Sequence, residues 1–238
     1  VLATRLRERE SALAYQKSLQ RIAGAIAHNV NNQMTVVIGC AEELAASRTD
    51  KPQEKNMAEL CLAAGLRTAE LARRLAACSG QTAMAPAALV MDDILKEVAR
   101  RWREESGHDT GLLIEHGAAG LAVQADQELL CEAVMELLDN GRIAQSGKGE
   151  LRLASRASAD SPVPGCAGIA VIDCGSGMSK ELLARAREPF FSTYNLAVHS
   201  GLGLSLAEGV ANSLGGTLTL DSRPGLGTIA TIWLPLAR

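Results

Sequence analysis

The sequence predicts a chain in two parts. The first is an all-α helical hairpin that a second copy completes as a dimeric four-helix bundle, and the second is an α/β sandwich. Three observations carry this expectation. Apolar residues recur at helical period over two long stretches joined by a polar turn. Beyond Pro86 the pattern changes to short strand-like segments mixed with helical ones. The 238 residues, 47% of them hydrophobic, are enough for two small domains with packed cores.

Residues 1–46 read as one helix. At 100° per residue, Leu19, Ile22, Val30, Gln33, Val37, Cys40 and Leu44 fall within about 40° of Ile26, a continuous seam with one polar member. Residues 47–54, SRTDKPQE, form a polar turn containing Pro52. A second helix is expected from Lys55 to Ser79, with a seam of Met57, Leu60, Ala64, Thr68, Leu71, Leu75 and Cys78. Two antiparallel helices alone bury only a narrow stripe, so a homodimer is expected. Gly80–Pro86 reads as a linker, dividing the chain into residues 1–80 and 86–238.

In the second part, Ala88–Arg103, Gln127–Ala144, Ser179–Arg187 and Leu202–Leu214 carry helical patterns. Strands are expected at Gly111–Gly117, Ala122–Ala125, Glu150–Ala157, Gly168–Asp173, Thr217–Asp221 and Gly227–Leu234, with Ser-Arg-Pro-Gly as the turn before the last. Such a mixture implies helices covering one face of a mixed sheet.

Composition narrows the function classes. The net charge of -3, from 24 basic and 27 acidic residues, offers no electrostatic reason for a nucleic-acid or membrane-surface partner. The six cysteines show no CxxC pair and no zinc-like spacing with histidine, which predicts reduced, buried thiols in a cytoplasmic setting. No apolar run approaches the ~18 residues of a membrane span, and no signal peptide opens the chain. Residues 1–20, charged and without a cap, read as mid-helix, so a longer parent protein is expected.

His28 lies at about 200° on the helical wheel, nearly opposite the seam, and is expected to face solvent. Asn29, Asn31 and Asn32 beside it are poor residues for a helix interior, and a site that breaks local rules is a candidate for function. Asn32, four residues on, shares the face of His28. The segment RIAGAIAHNVNNQMTVVIGCAEEL resembles the phospho-acceptor box of sensor histidine kinases, in the subgroup that reads His-Asp-Phe-Asn-Asn. That resemblance implies that His28 accepts the γ-phosphoryl group of ATP, as a neutral imidazole near pH 7 is suited to do. It also implies that Asn32 orients water for removing phosphate from the partner. The family's acidic residue after the histidine is here Asn29, whose amide can hold a tautomer but takes no proton. Since general-base help is worth ~10²–10⁴-fold, this predicts slowed autophosphorylation.

Five further strings resemble boxes of the GHKL ATPase superfamily, in the family's order. Glu132-Ala-Val-Met-Glu136-Leu-Leu-Asp-Asn140 puts Glu132, Glu136 and Asn140 on one helical face. The resemblance makes Asn140 a ligand of Mg²⁺, which takes oxygen donors. Asp173-Cys-Gly175-Ser-Gly177-Met178 follows an apolar strand; the resemblance implies that Asp173 reads the adenine amine while Gly175 and Gly177 turn the backbone. Glu188-Pro-Phe-Phe-Ser-Thr193 contains both phenylalanines of the chain and is expected to anchor a loop in the core. Gly201-Leu202-Gly203-Leu204-Ser205 opens a helix, where backbone N–H groups suit phosphate. Gly225-Leu-Gly227-Thr228 precedes the last strand. The expected lid between these boxes departs from the subgroup: Tyr194 replaces a lysine, and Ala197 and His199 replace glycines. Loss of a phosphate-facing cation predicts weakened ATP binding or lid closure.

The expected function is thus a histidine kinase core using ATP and Mg²⁺, with a homodimeric partner and a response-regulator receiver domain as phosphoryl acceptor. The alternative, supported by Asn29 and the altered lid, is a degenerate kinase acting as a phosphotransfer or phosphatase module. A third reading, ATP hydrolysis with Glu136 activating water, leaves the histidine without a role.

Overall fold

The computed structural model describes residues 30, 34–42, 44, 52–78, 85–106, 111–146, 149–193 and 201–237. It divides into two compact units, residues 1–82 and 83–238. In the first unit, residues 34–42 are helical (α1) and Pro52–Cys78 form α2. Pro52 was expected in the turn but is the first residue of α2. There its missing N–H costs nothing and its fixed φ suits the helix.

Most described residues of the expected seams are not buried between the two helices, although Val37 Cγ1 would lie 3.9 Å from a Cβ on Gly65. Met57 and Leu60 are 66% and 62% exposed, and Val37, Cys40 and Leu44 are exposed too. Buried instead are Ala41, Ala58, Gly65 and Ala72. A Cβ added to Gly65 would stand 3.0 Å from Ile38 Cγ1. Small side chains let α1 and α2 approach closely, and the larger ones are left facing outward.

The second unit has a five-stranded sheet and a two-stranded ribbon. The ribbon pairs β1 (Ala87–Val90) antiparallel with β3 (Ala122–Ala125). The sheet runs in the order β2 (Leu112–His116), β4 (Leu151–Arg156), β5 (Cys166–Asp173), β7 (Gly227–Pro235), β6 (Thr217–Arg223). Only the β2–β4 pairing is parallel. The helices are α3 (Met91–Ser106), α4 (Gln127–Ala144), α5 (Lys180–Arg185) and α6 (Gly203–Ser213). Residues 88–90, expected within a helix, belong to β1. Their strand state depends on Ala122–Ala125, which supplies hydrogen-bond partners that no local pattern announces.

The core lies between the sheet and helices α3, α4 and α6. Leu95, Leu130, Leu138, Leu153, Ile169, Leu206 and Ile232 are fully buried there. Each such side chain contributes about 1.5–3 kcal/mol of transfer free energy. Alternation along β5 and β7 turns Ile169, Val171, Asp173, Thr228, Ala230 and Ile232 to one face. Close approach of Gly141 in α4 to Asp173 identifies that face as the helix-covered one. On the opposite face the Trp233 ring lies over Gly168 and its Nε1–H donates to Thr219 Oγ1 at 2.9 Å.

The expectation of uniformly buried thiols is corrected. Cys131 and Cys166 are buried, whereas Cys40, Cys61 and Cys174 are exposed. Apolar sequence neighbours do not bury a residue on the outer face of a helix or at a strand end.

Candidate functional site

Helix α4 starts at Asp126, whose side chain accepts from Leu129 N–H, a donor that the first turn leaves open, and from Ala85 N–H ahead of β1. From that start the helical period carries Glu136 and Asn140 to one face, toward the first turn of α6. A Cβ built on Gly203 would stand 2.8 Å from Asn140 Nδ2 and 2.9 Å from Glu136 Oε2. The absent side chain of Gly203 is therefore the space that these two polar groups share. Asn140 Nδ2 is buried without a hydrogen-bond partner, alone in this among side-chain atoms of the described residues. An orphaned buried amide normally costs about 1–3 kcal/mol, so it is a place where a ligand restores a missing bond.

The residue after Asn140 links this cluster to the second. A Cβ on Gly141 would meet Asp173 Cβ at 3.2 Å, which sets α4 directly over the end of β5. Asp173 is only 8% exposed. Its Oδ1 accepts the Gly175 N–H at 2.8 Å, and the Thr228 backbone N–H also reaches the carboxylate. Burial pushes the Asp173 carboxyl above its ordinary value, and these two N–H groups oppose the rise.

The turn after Asp173 is held by the β6–β7 hairpin. Gly177 (φ 62°) and Gly227 (φ 86°) both sit in the left-handed region. A Cβ on Gly177 would strike the Arg223 carbonyl, and one on Gly227 would strike the Asp173 carbonyl. Gly225 N–H donates to Ser176 O at 2.7 Å, and Ser176 N–H to Ala144 O at 3.2 Å. Ser222 adds three contacts, to Met178 N–H, Gly227 O and Thr228 Oγ1. Sequence reasoning found Asp173 and Thr228 but missed Ser222, which reads there only as part of a turn. Its signal was available in the strand register, since it stands opposite Thr228 across the hairpin.

The start of α6 is tied to the Phe-Phe segment. Phe190 N–H donates to Gly201 O at 3.0 Å. Phe190 itself has φ 65° and is 55% exposed, so the expectation of a core anchor is corrected. Phe191 lies under the Arg185 guanidinium, 4.3 Å from its ring centroid. Arg187 does the anchoring, with Nη1 3.3 Å from Glu208 Oε1 of α6 and Nη2 donating to Leu218 O at 3.2 Å. Burial raises the Glu208 carboxyl, and Arg187 opposes that rise.

The structure therefore brings Glu136, Asn140 and Gly203 together, and beside them Asp173, Gly175, Gly177 and Thr228. Leu202 is buried at the α6 start and Leu204 half-buried. His28, Asn29, Asn32 and the lid residues 194–200 lie outside the described residues.

Residues 125–238 match the family of histidine kinase-, DNA gyrase B- and HSP90-like ATPases. The sensor kinase CckA of Brucella abortus is 30% identical over 240 residues, covering 95% of this chain and 25% of that protein. The chain resembles the sensor histidine kinases over most of its length, and residues 125–238 carry the ATPase domain they share. A second relative, the sensor histidine kinase ZraS of Klebsiella oxytoca, is 28% identical over 92% of this chain and 46% of its own length. The chain thus spans a quarter to about half of these curated relatives. Among solved structures, full-length ShkA in complex with AMPPNP superposes with a TM-score of 0.68 over 92% of this chain and 46% of that one. At 18% identity that likeness shows the kinase fold alone.

At the shared space Glu136 presents a carboxylate oxygen and Asn140 its unpaired amide N–H, a donor suited to a phosphate oxygen, while the carbonyl oxygen of the same Asn140 amide is the atom that would meet a metal ion. Oxygen donors of this kind fit Mg²⁺ bound together with phosphates. No cluster of three or more His, Cys, Asp or Glu side chains able to hold a metal occurs among the described residues, so most ligands of such an ion would be phosphate and water.

Proposed function

We propose that this chain is a histidine kinase core that binds ATP in residues 86–238, phosphorylates His28 and passes the phosphoryl group to an aspartate of a response-regulator receiver domain. The observation that carries the reading is the joining of two sequence-distant clusters, Glu136–Asn140–Gly203 and Asp173–Thr228, by the Gly141–Asp173 contact. The AMPPNP held by ShkA supports ATP as the nucleotide.

The Asp173 carboxylate accepts the adenine amine. Backbone N–H groups at Gly201–Leu204 receive phosphate at a helix start. Asn140, with Glu136 beside it, would hold Mg²⁺, which would neutralise phosphate charge. The imidazole of His28 attacks the γ-phosphorus, ADP leaves with the electron pair of the broken P–O bond, the ring proton passes to solvent, and the Asn29 amide holds the imidazole tautomer without taking that proton. Asn32 orients water for the reverse service, dephosphorylation of the regulator. Residues 1–80 form the dimer: Val37 and Leu44 of α1 and Met57 and Leu60 of α2 are exposed apolar residues of the kind a second copy covers.

Incubation with γ-labelled ATP and Mg²⁺ tests this. Acid-labile label is expected on the wild type and none on His28→Gln, while Asn29→Asp labels faster, up to ~10²-fold. An unlabelled wild type without ATP affinity would establish the phosphotransfer or phosphatase reading instead. ATP hydrolysis surviving in His28→Gln with no label on the wild type would establish an ATPase.

A further inference from the structure

Asp173, Thr228 and Ser222 form one cross-strand row over β5, β7 and β6. A serine hydroxyl has one proton to give and two lone pairs to receive with. Ser222 accepts the Met178 N–H at 2.9 Å and donates to the Gly227 carbonyl at 3.0 Å. Its third contact is Thr228 Oγ1 at 2.9 Å. A carbonyl only accepts, so the Ser222 proton is committed to Gly227, and the Thr228 hydroxyl must donate in the remaining contact. Ser222 is then saturated. The Thr228 proton points toward β6, and on the side of Asp173 its oxygen offers only lone pairs. An ionised carboxylate is also acceptor-only. Two acceptors side by side suit a group with two N–H donors and repel a carbonyl oxygen.

We propose that Ser222 is a positioning residue that sets the base selectivity of this site: by taking the Thr228 proton it creates an acceptor pair with Asp173 that favours a 6-amino purine over a 6-oxo purine. The inference rests on the reading of this unit as an ATP site. Ser222 acts through Thr228. Without it the Thr228 hydroxyl rotates and donates toward the base, where a 6-oxo group accepts. A merely mechanical role, closing the turn through Met178, would weaken every nucleotide alike.

Calorimetric titration of the 238-residue chain with ATP and with ITP, Mg²⁺ present, tests the proposal. The wild type is expected to prefer ATP. Ser222→Ala narrows the ATP/ITP affinity ratio about tenfold, roughly one hydrogen bond, and Ser222→Thr restores it. Thr228→Val leaves the Met178 and Gly227 bonds of Ser222 in place and narrows the ratio as well. Adding Ser222→Ala to it changes the ratio no further, because the proton in question has no owner. An unchanged ratio in Thr228→Val, which carries the test should Ser222→Ala not fold, or an equal loss of both affinities in Ser222→Ala, overturns the proposal and leaves the ATP site standing. A wild type that binds neither nucleotide overturns the ATP reading and the proposal with it.

Discussion

In the helical unit the buried positions carry Ala41, Ala58, Gly65 and Ala72, while Val36, Val37, Leu44, Met57, Leu60 and Leu66 stand exposed. In the sheet-containing unit the order is reversed: Met91, Leu95, Leu130, Leu138, Ile169 and Ile232 are buried to 3% exposure or less. One unit closes a core of its own large side chains. Among its described residues the other buries small side chains and leaves its large apolar ones exposed. The difference teaches where each unit finds its stability: the sheet-containing unit from within the chain, and the helical hairpin, on the proposed dimer, from association.

The sharpest break of that comparison is Gly227→Ala. Its Cβ would enter the Asp173 carbonyl at a positive φ, so the sheet-containing unit should lose roughly 3–5 kcal/mol and its ATP affinity, with the helical unit untouched. Thermal unfolding followed by nucleotide titration measures both. Leu60→Glu should do the converse. It places a charge on the exposed seam of each copy, raising the dimer dissociation constant by ~10²-fold or more in sedimentation while leaving ATP affinity unchanged.

Acid sharpens the comparison within the site. Burial raises the Asp173 carboxyl, so the ionised acceptor is lost, and ATP affinity falls, at a higher pH than an ordinary aspartate would give. The sign for folding is opposite. A raised carboxyl contributes stability as the neutral form, fully present below the unfolded pKa and lost as pH rises through the folded one. Binding and melting titrations over the same pH series should therefore slope in opposite directions, and parallel slopes would refute this role for Asp173. Arg187→Ala is a smaller perturbation. It strips Glu208 and the Leu218 carbonyl of a partner, and with Arg187 itself partly exposed the loss should be roughly 1–2 kcal/mol in denaturant unfolding. Glu104→Gln, which removes an exposed partner of Arg100, should leave the melting temperature within error.

Much of the sheet-containing unit was legible because its signals are local. The run Cys166–Asp173 is apolar and bounded by glycines, and the helical period of Gln127–Ala144 is strong, so both elements were anticipated within two residues. The strand β1 was not, since four residues become a strand only by pairing with Ala122–Ala125 thirty-odd positions away. The seam of α2 was visible, yet its direction was not. A 3.6-residue period finds an apolar face without telling whether a sister helix or another molecule covers it. Asp173, Asn140 and Gly203 were recognisable as motif residues, whereas Ser222 became visible only when strand register set it opposite Thr228.

By itself, then, the sequence determined the elements, their order and the residue types at the site, because propensity, periodicity and turn chemistry act over a few neighbouring residues. Only the tertiary structure decided which side chains meet: that Gly203 leaves room for Asn140 and Glu136, that Gly141 brings α4 onto Asp173, and that the Ser222 and Thr228 hydroxyls lie within hydrogen-bond distance of each other. Those meetings depend on strand register and helix-to-sheet distance, quantities set by packing across the whole unit and therefore absent from any local window of sequence.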